Sequence, residues 1–191
     1  MKKFELTSEF TTNVFGTKLF RIKALVKFAN VEAGELGGFV EKEDNLSQSG
    51  NAWVSGNAEV YGNARVFGDA RVSGNARVYG NARVYGNAEV YGDAWVYGNA
   101  RVYGNAWVSG DARVSGNADY AMVKGFGSIH RNTTFFRCKD GSIKVVCGCF
   151  FGTISEFRKK VISSYGDKKL AKEYLMIADL MDMHFDKEEN Q

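Results

Sequence analysis

Valine returns every six residues from Val54 to Val114, eleven times, with no gap or insertion. Alanine sits two places before each valine, and Gly-Asn or Gly-Asp precedes each alanine. An unbroken short period means one structural unit stacked on itself, and this restricts the fold more than any other feature of the chain. Alanine and valine, two apart, face one side of an extended segment, and the two variable residues beside valine face the other. Glycine takes positive φ cheaply and asparagine tolerates the left-handed region, so Gly-Asn reads as a corner. Strands this short cannot pair as hairpins. Three strands and three corners instead close a prism of about 18 residues per coil, with coils about 4.8 Å apart on parallel ladders. The absence of proline suits a backbone whose donors are needed in those ladders.

The spelling Val-x-Gly-Asn-Ala places a small residue four positions after an aliphatic one. It resembles the hexapeptide-repeat, left-handed β-helix family, best known from acyltransferases, over roughly residues 46–120. The resemblance implies a mainly β fold: a left-handed parallel β-helix with an N-terminal β cap and a small C-terminal ββαα unit. One departure concerns the position after the valine, where the family has small or acidic residues. Here it is often Tyr or Phe, which puts rings outside.

The expected division is 1–45 as cap, 46–125 as coils and 126–191 as a hairpin plus two helices. An open end of a β-helix exposes strand edges, so a cap is required. LFRIKALVKF (19–28) reads as a strand, and GELGGFVEKEDN (34–45) as the entry to the first coil. The repeat decays at Tyr120, which takes a valine slot. FFRCKDGSIKVVCGCF (135–150) reads as a hairpin turning at Asp140-Gly141. Thr153 and Glu156 spell a capping box, followed by Phe157, Val161, Ile162 and Tyr165 on one helical face and a stop at Gly166. A second helix over about 168–185 buries Leu170, Tyr174, Ile177, Ala178, Met181 and Phe185, and Asp186–Gln191 should fray. The stretch Ala33–Glu41, the GNAxV repeats and the C-terminal CGCFFGTISEF together resemble a family of tailed-phage and prophage proteins. That likeness implies a phage accessory role in a host cytoplasm, with counter-defence as the context.

Every third hexad shares a face. One face carries Trp53, Arg71, Glu89 and Trp107; the second carries Glu59, Arg77, Trp95 and Arg113. Both mix charge signs. The third carries Arg65, Arg83 and Arg101, with Asp119 below and Phe67, Tyr85 and Tyr103 alongside. Asn63, Asn81, Asn99 and Asn117 line the preceding corner. Stacked arginines repel by roughly 1 kcal/mol per adjacent pair in water. A bound anion would reverse this, and arginine beside rings suits a phosphate and a base. The plainer alternative is that these arginines simply lie over a ring-rich sheet. Trp53, Trp95, Trp107, Tyr61, Tyr79, Tyr91 and Tyr97 are expected to point outward, as an interface with a protein partner or with copies of the chain, a homotrimer by analogy with the acyltransferases. Cross-coil stacking without a partner is the alternative.

A net charge of +3 gives too weak a field to indicate a duplex DNA binder. No apolar run approaches a membrane span, and the polar N-terminus lacks a signal-peptide core. Three cysteines, Cys138, Cys147 and Cys149, read as reduced cytoplasmic thiols rather than a disulfide frame. Their spacing does not suit zinc, so neither metal nor cofactor is expected. The coils contain no histidine. Only His130, just past them, could serve an acyltransferase-like reaction, and His184 falls on the last helix. The expectation is therefore a non-enzymatic binding protein that sequesters a host defence protein or an anionic nucleotide. An acyltransferase-like enzyme and a purely structural protein are the alternatives.

Overall fold

The computed structural model describes residues 2–186. It divides into two compact units, Met1–Asn117 and Ala118–Gln191. Of the tail expected to fray, 187–191 lie outside the described residues.

The first unit begins with β1 (Phe4–Thr12), β2 (Lys18–Ala24) and β3 (Leu36–Val40). The coils follow as β4 (Trp53–Val54), β5 (Glu59–Val60), β6 (Arg65–Val66), β7 (Arg71–Val72), β8 (Arg77–Val78), β9 (Arg83–Val84), β10 (Glu89–Val90), β11 (Trp95–Val96), β12 (Arg101–Val102), β13 (Trp107–Val108) and β14 (Arg113–Val114). Each of β4 to β11 pairs in parallel with the strand three further on, so Val60 meets Val78 and Val66 meets Val84. The result is a three-sided parallel β-solenoid. The alanine before and the valine within each of these strands are fully buried. At the corners the glycines stack directly: Gly74 has φ +71°, and a Cβ there would lie 3.0 Å from the nitrogen of Gly92. Conformation and coil spacing both demand glycine at that position.

The cap is continuous with the coils. β3 pairs in parallel with β5, placing Val40 in the slot above Val60, and Leu46 bridges to Val66. Leu46 and Val54 are eight residues apart instead of six, and the extra residues include Gln48. Gln48 accepts the amides of Lys3 (2.8 Å) and Phe4 (3.2 Å) and donates back to the Phe4 carbonyl. Three N–H groups of each hexad donate to carbonyls of the following coil, as Ser55 N to Val72 O, Asn57 N to Gly74 O and Glu59 N to Ala76 O show. The N-terminal end therefore presents orphan carbonyls and needs donors. Lys3 Nζ donates to the carbonyls of Ala52 (2.8 Å) and Gly50 (3.3 Å), and Asn45 Nδ2 to those of Ala64 and Gly62. Burial lowers the Lys3 pKa to about 8. The run 19–28 is strand only to Ala24, because the chain then turns at Leu25–Val31 to carry Phe28 over Trp53.

The second unit is larger than a hairpin with two helices. β15 (Tyr120–Phe126), β16 (Arg131–Arg137), β17 (Ile143–Cys147) and β18 (Phe150–Thr153) form one antiparallel sheet in chain order. Tyr120 thus starts a new sheet by pairing with Phe136. The turn at Asp140-Gly141 has three residues between Cys138 and Ser142, not two. Gly148 (φ 61°) and Cys149 form the tight turn between β17 and β18. Glycine supplies the positive φ that such a two-residue hairpin turn requires at its first position.

Two helices complete the unit, α1 (Ile154–Tyr165) and α2 (Lys169–Phe185). Thr153 and Glu156 form the capping box, and the Gly166 amide closes the helix on Ile162 O. Phe157 and Val161 pack inward, but Ile162, one residue around the helix, is exposed. Tyr174, Ile177, Ala178, Met181 and Phe185 are buried with Ala171, while Leu170 is only half-buried. Among the described residues no helix is long and apolar enough to cross a membrane.

Candidate functional site

The 18-residue offset puts Arg65, Arg83 and Arg101 in direct register, each pairing with the next. All three are exposed. Among the described residues none of the three side chains has an ion pair, a hydrogen bond or a ring contact, although the Arg101 amide is held by Asn117 Oδ1 at 3.0 Å. The corner beside them is hydrogen-bonded along the stack. Asn63 donates to Asn81 (3.3 Å) and Asn81 to Asn99 (3.2 Å), one side-chain amide to the next. Asp119 belongs to the second unit and lies 3.5 Å from Arg137 Nε.

Phe67, Tyr85 and Tyr103 form the second column of this face. Their ring centroids are 4.8 and 5.3 Å apart with nearly parallel planes. A ring entering between two rungs would need a gap of roughly 7 Å, two van der Waals layers. The ladder fixes the rungs closer than that. Stacking of a ligand base between them is therefore closed, and Tyr103, the most exposed of the three at 48%, is the ring best placed to meet a ligand. At the N-terminal end of the column, Lys42, Asp44, Asn45, Asn63 and Arg65 line a cavity of ≈ 300 Å³. Lys42 adds a fourth cation to this face. No 18-residue spacing announces it, because the first coil departs from the repeat.

The other two faces are not open aromatic surfaces. Trp53 is buried under Phe28, whose ring meets it edge-on at 5.4 Å, and Tyr61 is only 7% exposed. Tyr61, Tyr79 and Tyr97 stack at 5.0 and 5.2 Å. Burial, with the neighbouring Tyr79 next, pushes the Tyr61 pKa up to about 12; burial also raises that of Tyr79. Trp95 lies between the guanidinium groups of Arg113 (4.2 Å) and Arg77 (5.3 Å). Tyr91 is half-buried, and of the seven rings expected to face outward only Trp107 is exposed, at 37%. Of the other six, Trp53 and Tyr61 are buried, and Tyr79, Tyr91, Trp95 and Tyr97 are half-buried.

His130 sits at the β15–β16 turn with φ 49°, exposed, its Nδ1 3.0 Å from Gly125 O. His184 is exposed in the last turn of α2. Neither has a carboxylate partner among the described residues, so no base with an orienting acid is assembled around them. Among those residues no group of three or more His, Cys, Asp or Glu side chains could hold a metal ion.

A family model described as the YdcK beta solenoid repeat matches the chain at residues 58–74, 70–84, 82–98 and 94–110. The match falls on the coils and agrees with their architecture; it carries no catalytic assignment. A comparison with curated proteins finds no match.

Proposed function

We propose that this chain is a non-enzymatic binding protein whose arginine face captures a nucleotide-like anion. The supporting observation is the column Arg65–Arg83–Arg101: stacked like charges, exposed, without a partner among the described residues. Arginines elsewhere on the coils have partners: Arg77 lies beside Glu59, Arg71 donates to Asn30, and Arg113 donates to three backbone carbonyls. A phosphate bridging adjacent guanidiniums would convert the column's repulsion into charge-assisted hydrogen bonds. The base of the ligand would meet Tyr103 rather than insert among the rungs. In the phage context, which rests on resemblance alone, such capture would withdraw a host signal. Capture of a defence protein through the Trp/Tyr faces has less support, since only Trp107 of those rings is exposed and the others are buried or half-buried.

Calorimetric titration with mononucleotides and with inorganic tripolyphosphate at low salt tests this reading. The expected result is binding that weakens at least roughly tenfold in Arg83→Gln and falls steeply with salt. Tyr103→Ala should weaken nucleotide binding but leave tripolyphosphate unchanged. Binding that persists undiminished when Arg65, Arg83 and Arg101 are all changed to Gln would remove the proposal.

A further inference from the structure

The sequence CGCFFGTISEF has no role in the coils, yet it builds one wall of a cavity in the second unit. Cys147, Cys149 and Phe150 line a space of ≈ 200 Å³ with Arg131, Phe157, Lys160, Tyr165 and Tyr174. Four separate pieces of chain meet there: the start of β16, the β17–β18 turn, the middle of α1 and the first half of α2. On α1, Phe157, Lys160 and Tyr165 are spaced to share one side of the helix.

The chemistry of the lining is uneven. The rings form a joined wall, with Phe150–Phe157 and Phe157–Tyr174 centroids 5.5 Å apart and Tyr165–Tyr174 6.1 Å apart. Two cations face the same space, and neither has an acidic partner among the described residues. Among the described residues several acids of the unit are used elsewhere: Asp119 near Arg137, Asp140 on Ser142, Glu156 on Thr153, Glu173 near Lys169, and Asp179 and Asp182 on Arg158. Arg131 is also placed with care. Its guanidinium packs against Gly148, within 1.4 Å of where a Cβ would stand, while the φ of 61° is what the turn needs glycine for.

The cavity floor is locked and neutral. Thr133 Oγ1 donates to Cys147 Sγ (3.2 Å), Cys147 leans on the Tyr174 hydroxyl (3.9 Å), and that hydroxyl donates to Phe126 O (3.3 Å). Burial, followed by the Cys147 sulfur, raises the Tyr174 pKa well above the usual tyrosine range. No negative charge in the floor offsets the two cations.

We infer that this cavity binds a small aromatic anion, its carboxylate or phosphate held by Arg131 and Lys160 and its ring against Tyr165, Tyr174 and Phe157. Size supports the class. An apolar cavity of roughly 150 Å³ accommodates benzene. A space of ≈ 200 Å³ therefore admits one ring with its anionic substituent. The site is independent of the arginine column on the coils.

The exposed Cys149 thiol on the rim is a built-in reporter. Titrating the full chain with benzoate, phenyl phosphate and inorganic phosphate, while following iodoacetamide alkylation of Cys149 by mass spectrometry, tests the inference. Benzoate or phenyl phosphate should bind and slow alkylation several-fold, also in a chain lacking the three column arginines. Arg131→Gln should weaken binding roughly tenfold. Lys160→Gln, at an exposed helix position, should weaken it without affecting folding. No protection at millimolar probe, or protection unchanged in both variants, would overturn the assignment. Inorganic phosphate binding as tightly as phenyl phosphate would overturn its aromatic part.

Discussion

Arg77 and Arg83 occupy the same slot of the same repeat, six residues apart, on adjacent faces. Arg77 has Glu59 one coil before it, with its Nε 3.2 Å from the carboxylate, and Trp95 one coil after it. Arg83 has Arg65 before it and Arg101 after it. The hexad around each is nearly identical, so the immediate neighbours cannot explain why one is satisfied and the other bare. The residue 18 places away decides. In a solenoid the meaningful neighbourhood of an outward side chain runs along the stack. A column of one charge is held there by the scaffold, which ladders, alanine, valine and glycine stabilise without help from the surface.

The scaffold supports both faces, so the largest effect should come from breaking it. Val84 is fully buried, directly inside the arginine column. Val84→Asp places a carboxylate where it has no partner and no water. A loss above about 4 kcal/mol is expected, seen as an early, broadened thermal transition by circular dichroism. A coil that tolerated the change would mean that the valine layers do not hold the two faces in place.

Changing each arginine separately sharpens the contrast, because the signs should differ. Arg77→Gln leaves Glu59, with a side chain only 15% exposed, without its cation. A loss of about 1–2 kcal/mol is expected. Arg83→Gln removes two like-charge contacts, so stability should be unchanged or rise by up to roughly 1 kcal/mol at low salt, a gain that high salt abolishes. Urea titrations at two ionic strengths measure both. Equal losses in the two variants would erase the distinction between the faces.

Trp95→Leu tests the covered face further. The indole lies between two guanidiniums, and its removal should cost about 1 kcal/mol beyond lost area. Tyr103→Leu, at the exposed ring of the other ladder, should stay within about 0.5 kcal/mol. Comparison of the two midpoints in urea is sufficient.

What the sequence made legible follows the same geometry. The valine and alanine layers, the Gly-Asn corners and the arginine register are all fixed by a period of six, and a period is visible without coordinates. Burial of Trp53 was not legible, because its cover is Phe28, from a segment that obeys no repeat. Lys42 was hidden for the same reason: the first coil is offset by 20 residues to the next rather than 18, as Val40 to Val60 shows. In the second unit the capping box at Thr153 was readable because a cap is local. The cavity beside it was not, since Arg131, Cys149, Lys160 and Tyr174 come from four elements whose packing no local pattern encodes.

A pH-dependent effect separates a third kind of cation from the paired and the bare arginines. Lys3 is buried and holds carbonyls, not carboxylates. Burial takes its pKa from the usual 10.5 down to about 8, the nearby Asp69 opposing that shift. Between those values the unfolded chain binds more protons at Lys3 than the folded one, so folding is favoured as pH rises. Lys3's contribution is thus present above 10.5 and lost as pH falls to about 8. Tyr61 acts in the opposite sense: with its pKa raised from 10.0 to about 12, its contribution is full below 10 and lost as pH climbs to 12. Stability measured in urea should therefore rise from pH 8 and turn down above pH 10. Lys3→Met should flatten the rising limb and leave the falling one. A rising limb that survives the substitution would show that Lys3 is solvated in the folded chain, like the arginines of the bare column.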